Sequence, residues 1–159
     1  MDGDPHRLEA GHLPTPFTAA EIRDHSLPGR TVRSLIVKAG VEPYVRVMRV
    51  VSADADGGVR EFWTETADGR PLTEPEREHS TFLELQGHAS MPADTTRIDE
   101  ETIDIPAGRY DCLRYTRVDG DTIDTFWFAT SAPGAPMRFE KRIAGELVFS
   151  STAIEDRRP

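Results

Sequence analysis

Residues 113–129 read LRYTRVDGDTIDTFWFA, and residues 137–154 read MRFEKRIAGELVFSSTAI. Both alternate with a period of two around a short break that contains glycine, Asp119-Gly120 in the first and Ala144-Gly145 in the second. A period of two sends successive side chains to opposite faces of a strand, and Asp-Gly is the strongest short-range signal for a two-residue hairpin turn. The pattern therefore predicts two antiparallel hairpins. In the second, Met137, Phe139 and Ile143 are expected to be more buried than Arg138, Glu140 and Arg142, because a one-residue slip would bury three charges.

Upstream, residues 31–38, 44–52, 59–66 and 95–105 repeat the extended pattern, with Asp56-Gly57-Gly58, Asp68-Gly69 and Pro106-Ala107-Gly108 as breaks. Residues 80–90 depart from it. Phe82, Leu85 and Ala89 recur at helical spacing, Thr81 stands three before Glu84 as a capping box, and Pro92 ends the run. Thr18 and Glu21 repeat the capping box for a short helix over 18–26. Residues 1–16 are poor in apolar side chains and read as a disordered or loosely attached tail, with a single β-rich domain over 17–156. The predicted fold is mainly β (α+β): a curved antiparallel sheet or half-barrel with one principal helix packed on its concave face.

The 28 acidic and 19 basic residues give a net charge of −9, which repels nucleic acid and anionic membrane surfaces. No stretch is apolar enough for membrane insertion, and no signal-peptide pattern opens the chain, so a cytoplasmic location is expected. Cys112 is the only cysteine; it lies in an expected strand, excludes an internal disulfide and reads as a core residue. The five histidines form no metal-ligand pattern. Asp54-Ala-Asp56-Gly57 begins like a calcium loop but has Gly58 and Val59 where an oxygen ligand and a glycine are needed. No Gly-rich phosphate loop or nucleophile elbow is present, so neither metal nor cofactor is expected. Glu84 and His88, four apart on the expected helix, are the best acid/base candidates.

Phe62-Trp63 and Phe126-Trp127-Phe128 place large rings on both faces of the sheet. Trp63, Phe82, Tyr115, Trp127 and Phe139 are the expected lining of an apolar cavity between sheet and helix.

Residues 102–112, TIDIPAGRYDC, are followed by a hairpin, by FWFA at 126–129 and by Pro136-Met137-Arg138. This segment resembles a recurrent bacterial β module found in uncharacterised domains similar to the lipoprotein-carrier (LolA-like) half-barrel. Ile105, Pro106, Gly108, Tyr110, Trp127, Phe128 and Pro136 carry the resemblance. It implies a half-barrel fold and no catalytic residues.

The leading functional expectation is a non-enzymatic domain that binds an apolar or amphipathic small molecule, or a partner's apolar segment. A second is a small-barrel isomerase or cyclase for a polyketide-like or terpenoid-like substrate, using Glu84 or His88. A third is a protein-interaction adaptor, including a homodimer paired through an exposed edge strand.

Overall fold

The computed structural model of the protein describes residues 3–159. Its nine strands are β1 (Thr31–Lys38), β2 (Tyr44–Ala53), β3 (Gly57–Thr66), β4 (Glu76–Thr81), β5 (Thr96–Ile105), β6 (Gly108–Asp119), β7 (Thr122–Ala129), β8 (Arg138–Ile143) and β9 (Glu146–Arg157). They form one antiparallel sheet in the order β4-β3-β2-β1-β9-β8-β7-β6-β5. Two meanders, β1–β4 and β5–β9, thus meet where β1 pairs with β9, and β4 and β5 are the edges. Helix α1 (Ala19–His25) precedes the first meander, and α2 (Phe82–Gly87) links the two.

The sheet is curved. Just beyond β5, Ala107 donates its N–H to the carbonyl of Ala153 in β9 at 3.3 Å, although β6, β7 and β8 lie between them in the sheet. Four inter-strand spacings in a flat sheet would hold those strands about 19 Å apart.

Cross-strand register sorts the side chains. Leu113 pairs with Phe128 and Tyr115 with Phe126, so these four share one face. Phe17, Ile22, Phe82, Ala89 and Met91, from the helical side of the chain, close over Tyr115 and Phe128 there. A second cluster joins Ile103, Cys112, Trp127, Ala129, Met137 and Ala153. The strands are thus held by apolar contacts on both sides.

The N-terminal segment is not a loose tail from residue 3 onward. Leu13 donates its N–H to Met91 O at 2.9 Å, Ala93 returns a bond to Gly11 O at 2.9 Å, and Tyr115 Oη donates to Pro14 O at 2.6 Å. Buried Gln86 completes the attachment: its amide donates to Pro5 O and Thr15 Oγ1 and accepts from Ala19 N–H, at 2.9–3.0 Å. Hydrogen bonds, which composition does not reveal, supply what the few apolar side chains cannot. Residues 1 and 2, part of the same expectation, lie outside the described residues.

Other elements differ from expectation. The principal helix has six residues instead of eleven, because His88 already caps it and Ala89 follows in a turn. Both capping boxes form as expected. Strand β4, EREHST, carries no apolar side chain to mark it and forms by pairing with β3 at the edge. The first hairpin turns one residue later than expected: Asp119 pairs with Thr122, so Gly120-Asp121 is the loop, and only Gly120 has a positive φ, 59°. The second turns at Ala144-Gly145, both at positive φ as a type I′ turn requires. Its burial pattern is mixed. Met137 is buried and Arg142 exposed, but the Glu140 side chain is 13 % exposed while Ile143 is 44 % exposed. Glu140 sits among the arginines of a partly covered face, and Ile143 lies at the protruding tip of the sheet.

Candidate functional site

On the face that carries the helices, Phe126 pairs with Phe139, and Phe149 pairs with Lys141 two residues further along β8. The register thus stacks aromatic rings across three strands. Phe128 and Phe126 are nearly parallel at 6.1 Å, Phe126 and Phe139 lie 4.9 Å apart, and Phe139 and Phe149 lie 5.8 Å apart. At the inner end Phe128 meets Phe17 and Tyr115 edge-on and is buried. Phe126, Phe139 and Phe149 are half-buried. Ile36 of β1, opposite Ser151 and Tyr44, continues the row toward β2 but is buried.

Cations border this row. Arg117 lies over the Phe126 ring at 5.7 Å and Lys38 over Tyr44 at 5.6 Å, while Arg46 and Arg60 both lie over Phe62 at 4.7 and 5.0 Å. Buried Asp124 stands between Arg117 at 3.2 Å and Lys141 at 3.4 Å. Among the described residues, Lys38, Arg46 and Arg60 have no carboxylate within 4.0 Å.

The opposite face is charged but self-neutralised, and both tryptophans lie on it. Trp63 Nε1 donates to Glu65 at 2.8 Å, Arg33 bonds the same carboxylate, and Arg49 lies over the indole at 5.5 Å. The other wing repeats the arrangement: Trp127 Nε1 donates to Glu101 at 2.9 Å, Arg114 donates to it at 2.8 Å, and Arg138 lies over that indole at 4.9 Å. The Trp127 indole N–H, and then Arg114, hold the Glu101 carboxyl below its ordinary range. Arg77 and Arg49 do the same to Glu61. A general acid or base at neutral pH needs the opposite shift, so these pairs hold the sheet together and do not prepare proton transfer.

Glu84 and His88 are both exposed. Glu84 accepts the Thr81 N–H at 2.8 Å, which lowers its pKa, and His88 is the helix cap. Neither faces an enclosed space. Among the described residues, no three His, Cys, Asp or Glu side chains gather as a metal site.

The five residues expected to line one cavity are divided by the sheet. Phe82 and Tyr115 are packed in the helix-side core, Phe139 belongs to the uncovered row, and Trp63 and Trp127 lie on the other face. An open cleft of about 280 Å³ is lined by Trp63 alone of the five, with Phe62, Arg46 and Glu76, and an open cleft of about 480 Å³ beside Thr96 and Val118 is lined by none of them. Phe126 and Phe149 were missed, although alternation alone gives Phe126 the parity of Phe128. Lys38 and Arg46 carry no local signal, since only strand pairing brings them beside the phenylalanines.

Cys112 is buried, and burial pushes its thiol up to about 11. The thiolate is the reactive form. Modification by a thiol reagent at neutral pH is therefore expected to be slow in native protein and fast in denaturant; equal rates would show that the site opens readily.

The edges are charged, with Asp99, Glu100, Glu101 and Asp104 on β5 and Glu76, Arg77 and Glu78 on β4. Two β5 edges paired with each other would oppose carboxylates. Among the described residues, no helix is long and apolar enough to cross a membrane. No protein-family model matches the chain, and no curated protein does.

Proposed function

We propose that the chain is a non-enzymatic binding domain that receives a partner's apolar segment on the uncovered part of its helix-bearing face. The observation that carries this reading is the continuous stack that runs from buried Phe128 in the helix-covered core out through the half-buried rings of Phe126, Phe139 and Phe149. Contiguous apolar surface that stays partly in water, as at Phe126, Phe139 and Phe149, marks interaction sites, whereas single exposed residues do not. The space between helices and sheet is occupied by Phe17, Ile22, Phe82 and Met91 against Tyr115 and Phe128, which supports the strip beside it over the interior as the binding surface.

The test is native mass spectrometry of the full chain purified from its own host, compared with a Phe139→Ser/Phe149→Ser variant. A retained partner mass is expected with the wild type, and roughly tenfold less of it with the variant at equal helix and strand content by circular dichroism. A partner held equally by both proteins, or by neither, would refute the reading.

A further inference from the structure

Resting on that reading, we propose that the segment received is an acidic amphipathic helix of a partner protein, laid beside the protein's own helices over β8, β9, β1 and β2. Charge supports the acidity. Although the chain carries a net charge of −9, its aromatic strip is bordered by Arg117, Lys141 and Lys38, the first two sharing one carboxylate, Asp124, while Arg46 shares a separate cleft with Glu74, Glu76 and Glu78. Arginines on the opposite face are matched by Glu61, Glu65, Glu101 and Glu140. On the strip, Lys38 has no such match among the described residues, so its attraction is available to something else.

Geometry supports a helix. Four strands span roughly 14–19 Å, and a helix with its side chains is about 10–12 Å across, so one helix fits the strip. An extended peptide lying flat over a sheet face would leave its backbone groups unpaired, whereas a helix satisfies most of its own. A flat bilayer fits less well, because the N-terminal segment, α1 and α2 stand beside the strip as a layer about 10 Å thick that holds a plane away from Phe139. The segment would complete the helical layer that the chain begins.

Two helical peptides with the same leucine stripe, one bordered by glutamates and one by lysines, are titrated into full-length ¹⁵N-labelled protein. The glutamate peptide is expected to bind roughly tenfold more tightly, to lose that preference with added salt, and to shift the amides around Ile36, Phe139 and Phe149. Lys38→Glu, at an exposed side chain with no ion pair, should abolish the preference; Lys141→Glu should do so too, but places a second acid beside Asp124 and could disturb folding. Equal binding of both peptides at these amides overturns the acidic helix and leaves apolar docking standing. Binding of neither overturns both. The same amide shifts produced by vesicles containing phosphatidylglycerol, or by self-association on concentration, overturn the proposal in favour of a membrane or a second copy.

Discussion

Replacing Tyr115 by alanine is expected to lower the unfolding free energy by about 3–5 kcal/mol, the range for removing a buried aromatic ring. Tyr115 is 1 % exposed, lies edge-on to Phe128 at 5.3 Å and donates its hydroxyl to Pro14 O. The substitution therefore removes ring packing and leaves the Pro14 carbonyl without its partner. Phe139→Ala, two strands along the same cross-strand row, should cost clearly less because that ring is already half in water. Urea unfolding of the two variants separates packing from surface: equal losses would mean that the row beyond Phe126 is covered in solution. Tyr115→Phe keeps the ring and removes only the hydroxyl. Its expected loss of about 1–2 kcal/mol, with faster hydrogen exchange at Leu13, would isolate the contribution of the N-terminal strap.

That strap illustrates where sequence reading stops. Residues 1–16 are too poor in apolar side chains to predict order, yet from residue 3 onward they are held by carbonyls bonded to Gln86 and Tyr115, 81 and 101 residues away. No local pattern encodes such pairing. The alternation in 137–154 fixed the turn at Ala144-Gly145 but not the burial of Glu140, because a half-covered sheet gives both faces of β8 a mixed environment. For the same reason strand β4 was unreadable: an edge strand made of EREHST has no buried face to advertise. The Asp119-Gly120 signal located its hairpin and placed the turn one residue early, since the glycine occupies the first loop position. The site was legible as a surplus of aromatic residues. Its location was not, because Phe139, Phe149 and Lys38 become neighbours only when β1 pairs with β9 and joins the two meanders.

That junction is secured by Arg30, and Arg30→Met is expected to destabilise the protein by about 3–5 kcal/mol, the cost of breaking a buried ion pair by removing one partner. The Arg30 and Asp156 side chains are only 7 % and 3 % exposed and meet through two parallel hydrogen bonds of 3.1 Å. The remaining guanidinium nitrogen donates to His25 O and Pro133 O at 3.3 and 3.2 Å, so one side chain links the end of α1, the β7–β8 loop and the last strand. Without it, Asp156 keeps only Arg158, a more exposed partner at 3.4 Å. The charge would then be buried with too little compensation. Removing both charges tests the cause: Arg30→Met/Asp156→Leu should recover a large part of the loss, because the desolvated carboxylate disappears along with its partner. Urea midpoints at unchanged slope give the comparison. If the single variant loses less than about 1 kcal/mol, typical of a solvent-exposed pair, the two meanders are held by backbone pairing and apolar packing without this link.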